Sequence, residues 1–214
     1  MSRAKTLLLG TVTLLLLAGC EQFFTNNLFS GLQRDPSNLP FEQQVAYAES
    51  ALNSGDKDAM ADAYDALSDS LDDRNNKDAD LNSLAAELAI GASGLTDTVP
   101  ELADAAINGN FSNQTELANA INDELGDVDY TYIDEAKTQL DAIKANGGEV
   151  SAEQYLFVAA GLIMKEGENA GGVENLDGTA GNGQESSDFI DDAITDLQAR
   201  GDSSDLLDEL ATLY

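Results

Sequence analysis

The sequence has no histidine and no tryptophan, one cysteine, three prolines and only 10 lysines and arginines in 214 residues. Each shortage excludes something. Without histidine, nucleophilic catalysis of the Ser-His or Cys-His kind has no base. The commonest transition-metal ligand is also missing. One cysteine allows no disulfide within the chain and no thiolate cluster for zinc, so packing alone must hold the fold. Ten basic residues face 40 acidic ones, a net charge of −30. A chain so charged is repelled by nucleic acid and by anionic lipid. No stretch alternates as a strand does, and no glycine-rich phosphate loop leads into Lys-Ser/Thr. Paired carboxylates serve glycosidases, but 40 acids make pairs unavoidable and therefore uninformative. No catalytic residue, cofactor or metal site is read from this sequence, and the chain is not expected to be an enzyme.

What is present begins with an address. Residues 1–5 carry Arg3 and Lys5, and Leu7 to Leu17 is an apolar run broken only by small or hydroxylated residues. Small residues Ala18 and Gly19 follow, then Cys20. A charged start, a short apolar core and a small-residue cleavage point define a secretory signal. The run is too short for a membrane span, which needs ~20 apolar residues. The block Leu17-Ala18-Gly19-Cys20 resembles the bacterial lipobox. That resemblance implies cleavage between Gly19 and Cys20, diacylglycerol on the Cys20 thiol and acylation of the new N-terminus. It also explains an otherwise unpaired cysteine in an exported protein. Glu21 rather than Asp after the cysteine implies, by the family's sorting rule, the outer membrane and a periplasmic location.

Removal of residues 1–19 leaves 195 residues, enough for one substantial core. Loss of Arg3 and Lys5 leaves eight basic residues against 40 acidic ones, a net charge of −32. Aspartate supplies 25 of the acids and only five lysines remain. Such a surface resembles those of proteins exposed to high salt.

Residues 20–39 form a lead-in containing Phe23, Phe24, Leu28, Phe29 and Leu32. These either dip into a bilayer interface as an amphipathic segment or pack onto the domain that follows. From residue 40 to 214 the pattern is helical. Pro40 suits a first helical turn, with Ser37 or Asn38 as cap. Phe41, Val45, Ala48 and Leu52 share one face, and Ser54-Gly55-Asp56 ends that helix. Met60, Tyr64, Leu67 and Leu71 mark a second helix, and Leu81, Leu84 and Leu88 a third. Further helices are expected at 98–107 and 112–125. Ile133, Ala136, Leu140 and Ile143 mark the next. Ser151 and Gln154 form a capping box ahead of Tyr155–Met164, an apolar stretch expected to be buried on all sides as the central helix. A glycine-rich loop is expected at 167–187. Two final helices carry Ile190, Ile194 and Leu197, then Leu206, Leu210 and Leu213.

The fold class is therefore all-α, with about nine helices. Ala51-Leu52-Asn53-Ser54-Gly55-Asp56, with Tyr64 and Ala66-Leu67 downstream, resembles one tetratricopeptide repeat. Met60 stands where that family has a small residue, and no 34-residue period continues. The architecture is thus a divergent helical-hairpin array or an irregular bundle. Asn175, Asp177 and Gly178 imitate part of a calcium loop, but Val173 and Gln184 occupy its first and last ligand positions, so the motif fails. Two functions fit. One is a lipid-anchored envelope scaffold that holds a protein partner, with membrane contact through Cys20 and no nucleic acid. The other is a small-molecule-binding accessory protein of an envelope transport system, its pocket built around the apolar helix Tyr155–Met164 with Tyr47, Tyr130 or Tyr132 at its lip.

Overall fold

A computed structural model describes residues 35–73, 77–96 and 128–214. The chain divides into two units, residues 1–38 and 39–214. In the first, the described residues form a single 3-10 turn, Pro36–Asn38. The second unit contains α1 (Phe41–Ser54), α2 (Lys57–Asp73), α3 (Ala79–Ser93), α4 (Tyr130–Ala145), α5 (Ala152–Ala170), α6 (Gln184–Arg200) and α7 (Asp205–Leu210). The described residues thus hold seven α-helices rather than nine and no strand. The helices expected at 98–107 and 112–125 lie outside the described residues, as do Gly19, Cys20 and the phenylalanines of the lead-in. Among the described residues, no helix is long and apolar enough to cross a membrane.

Local chemistry sets the helix ends. Pro40 stands at the boundary of α1 rather than inside its first turn, and its carbonyl accepts from Gln43 and Gln44. Gly55 closes α1 in the left-handed region at φ 66°. Asp56 then accepts from the Ala59 amide at 2.9 Å and starts α2. With two residues between them, α1 and α2 pack as neighbours. Asp78 caps α3 and Asp129 caps α4. Ser151 and Gln154 form the expected reciprocal box at the start of α5. Gln154 reaches on to the Ser83 hydroxyl at 2.8 Å, which ties α5 to α3.

The expected inward faces of α2 and α4 are buried residue for residue. The central helix is α3, which touches α1, α2, α4 and α5. It buries Ala85, Ala86, Leu88, Ala89, Ile90, Gly91 and Ala92, whereas Leu81 and Leu84 are only partly covered. Small residues let four helices approach one. A Cβ on Gly91 would stand 2.3 Å from Met60 Sδ. The apolar stretch of α5 departs from expectation: Leu156, Phe157 and Ala160 stay half-exposed while the rest of Tyr155–Met164 is buried.

The glycine-rich loop is also shorter than expected. Gly167 remains helical, and its bare face takes Val173, whose Cγ1 would be 2.4 Å from an added Cβ. The helix ends at Gly171, φ 78°, where the Gly172 amide bonds Gly167 O at 2.8 Å. What remains is 171–183, including a 3-10 turn at Val173–Asn175. Near the end of the chain, α7 is only six residues long and buries Leu207 fully. Leu206, Leu210 and Leu213, expected inside, are half-buried.

Candidate functional site

Two open grooves lie on the surface of the second unit. The larger, about 540 Å³, runs between α4, the end of α5, the 171–183 loop and the start of α6. Its α6 wall carries Glu185, Asp188 and Asp192, one helical stripe, with Phe189 beside them. Opposite stand Lys137 and Asp141, an i,i+4 pair at 3.6 Å. Glu166 closes one end. Five carboxylates against one lysine make the groove strongly acidic. Phe189 is buried and meets Tyr155 edge-on, ring centres 5.9 Å apart.

Beside it, Lys165 lies 2.5 Å from Asp134 and 3.5 Å from Glu185. Burial alone would lower its pKa, but the hydrogen bond to Asp134 and the two carboxylate charges outweigh burial and raise it. The ammonium therefore stays charged and holds α4 to α6.

Glu166 is not a loose acid. Its carboxylate accepts the backbone N–H of Ser186 at 2.8 Å and of Glu185 at 3.2 Å. These are first-turn donors of α6, whose boundary residue, Gly183, has no side chain to satisfy them. Negative charge there also complements the helix dipole. The buried Ser186 hydroxyl bonds both Glu166 and the Tyr214 hydroxyl. Burial first, and then the Glu166 charge, push the Tyr214 pKa up to about 12 against the lowering effect of Ser186.

The smaller groove, about 440 Å³, lies at the start of α5 and includes Ser151, Arg200 and Asp202. Arg200 is already engaged, donating to Val150 O at 2.7 Å and to Asp196 at 3.1 Å.

Neither groove is lined by the four tyrosines expected at a ligand pocket. Tyr155 is buried and donates to Asp196 at 3.0 Å, and burial raises its pKa most. Tyr47 and Tyr132 both feel the Asp62 charge, and burial raises the pKa of both most. Tyr132 meets Tyr64 edge-on at 5.8 Å. Tyr130 stands apart beside Glu168, its pKa pushed up to about 12 by burial and that charge. Among the described residues, no group of three or more acidic or sulfur side chains is arranged to hold a metal.

Sequence reasoning missed Glu166, Ser186 and Tyr214. One signal was available: a helix opening on Gly183 has no capping side chain of its own and must take a cap from elsewhere. No protein-family model, curated protein or solved structure matches this chain.

Proposed function

We propose that this chain is a lipid-anchored cell-envelope protein, held at the outer membrane facing the periplasm through Cys20, that binds a partner protein and performs no catalysis. The observation that carries the partner-binding part is the open acidic groove between α4 and α6, set on a solid alanine- and leucine-rich core. Small-molecule sites are enclosed and mostly apolar, whereas this groove is open and charged. Its carboxylates suit a basic segment, with Phe189 offering a limited apolar contact. The block Leu17-Ala18-Gly19-Cys20 supports the anchor.

The finer fold reading belongs with this proposal. The α1–α2 hairpin, turning at Gly55-Asp56 with Tyr64, Ala66 and Leu67 buried, supports a divergent tetratricopeptide-like array that displays helix faces to partners. The scattered tyrosines give the small-molecule alternative little support.

The test is capture from detergent-solubilised envelope with the parent chain and an Asp188→Lys/Asp192→Lys chain. A protein retained by the parent and lost with the variant supports the reading. Equal capture by both removes the groove from it. Independently, Cys20→Ala should abolish lipid labelling and release the domain in soluble form. Unlabelled parent protein in the soluble fraction would overturn the anchor.

A further inference from the structure

We infer that Tyr214 is a strap that holds the 171–183 loop closed over the start of α6, and with it the loop-side wall of the acidic groove. Proton bookkeeping orders the contacts. An ionised carboxylate only accepts, and a serine hydroxyl has one proton. Ser186 therefore gives its proton to Glu166, and the Tyr214 hydroxyl donates to Ser186 Oγ. The chain Tyr214 to Ser186 to Glu166 ends on the carboxylate that caps α6. Glu166 also lines the groove, as do Gly181 and Gln184 beside the strap.

The tyrosine ring acts as well as its hydroxyl. Gly183 sits at φ 91°, and a Cβ there would be 2.7 Å from the ring's Cε1. At Gly178, an added Cβ would lie 3.5 Å from Tyr214 Cβ. The side chain thus touches both ends of the Gly178–Gly183 turn, with its ring at Gly183 and its Cβ at Gly178.

That turn is built to move as one piece. Asp177 accepts from the Thr179 amide at 3.0 Å and hydroxyl at 2.6 Å, and Asn182 O accepts from the amides of Asp177 and Gly178, both at 3.1 Å. Left-handed glycines stand at its two ends, Gly178 at φ 71° and Gly183 at φ 91°. Such positions absorb backbone rotation at little steric cost. Outside the turn, Ser187 and Tyr214 stand against Gly178, and Leu176 and Tyr214 against Gly183, while buried Val173 anchors the preceding residues on Gly167. The segment bearing Tyr214 is itself lightly held, since α7 and the 3-10 turn Ala211–Leu213 bury one residue fully, Leu207. Tyr214 is the contact that joins the turn to the Ser186–Glu166 cap of α6, so its loss loosens the groove wall whatever docks in the groove.

Amide hydrogen exchange of the full chain tests this. Tyr214→Ala should speed exchange across 176–187 by on the order of tenfold, the effect of losing one buried hydrogen bond and its packing, while α1–α3 keep the parental rates. Tyr214→Phe keeps the ring and should give a smaller acceleration centred on the Glu185 and Ser186 amides, the donors to Glu166. Parental rates at 176–187 in Tyr214→Ala would overturn the proposal. So would acceleration spread equally through α1–α3, which makes Tyr214 ordinary core, or a Tyr214→Phe chain that matches the parent at Glu185 and Ser186.

Discussion

The Tyr64 hydroxyl on α2 donates to Glu135 on α4 at 2.7 Å, joining two helices whose residues lie 71 positions apart. The same ring stands at 87° to Tyr132, so a polar and an aromatic contact coincide on one side chain. Tyr64→Phe keeps the ring and removes the hydroxyl. It should cost about 1 kcal/mol, the net worth of one hydrogen bond. Tyr64→Ala also empties a buried site and should cost about 3–5 kcal/mol. Urea unfolding followed by circular dichroism measures both. Equal losses for the two variants would show that the hydroxyl carries the whole contribution.

Asn82, in the first turns of α3, is 4% exposed, and its side-chain nitrogen has no hydrogen-bond partner among the described residues. A buried unpaired amide costs about 1–3 kcal/mol. Asn82→Leu should therefore raise stability by about 1 kcal/mol, the remainder going to imperfect fit of the larger group. A lower urea midpoint for this variant would contradict the assignment.

Glu87 supplies a pH dependence with a definite sign. Partial burial beside α5 raises its pKa most, the Ser83 hydrogen bond lowers it, and the Glu153 charge raises it again. A carboxylate whose folded pKa lies above its unfolded one binds protons more tightly when folded. Stability then increases as pH falls through the folded value, and the gain is complete below the unfolded value. Mild acidification from neutral pH toward that range should raise Tm. Glu87→Gln should be more stable than the parent at pH 7 and show a flatter profile. A parental slope in the variant would assign the effect to other acids.

Salt should act on the whole surface. With a net charge of −30, like-charge neighbours on helices each cost about 0.2–0.5 kcal/mol. Summed over many pairs, this approaches a net stability of about 5–15 kcal/mol. Tm should climb steeply below a few hundred millimolar NaCl, roughly where the Debye length shrinks below 8 Å. A Tm that is constant from millimolar to molar salt would show that the carboxylates are spaced too widely to repel.

The parts of this fold that were legible are those written within one helix. Met60, Tyr64, Leu67 and Leu71 recur at helical spacing and are buried. The Ser151–Gln154 box marks the start of α5 at Ala152. The centrality of α3 was hidden because alanine contributes little to any hydrophobic signal, yet its small size is what admits four neighbours. Leu81 and Leu84 stood out in the sequence and are only partly covered. Gly167 looked like a stop because its role, making room for Val173, depends on a contact formed after the helix ends. The groove was illegible for the same reason: Lys137, Glu166 and Asp188 meet only once three helices have packed.

The borrowed cap on α6 bears on autonomy. Helix α5 carries its own start signal, so a peptide spanning it holds the instruction to begin at Ala152. Helix α6 does not: the carboxylate that satisfies its first amides belongs to Glu166, some twenty residues earlier. A peptide excised at 184–200 lacks that partner and begins on bare donors. The register of α6 is thus inherited from α5, and the two helices form as one cooperative pair rather than as two independent segments.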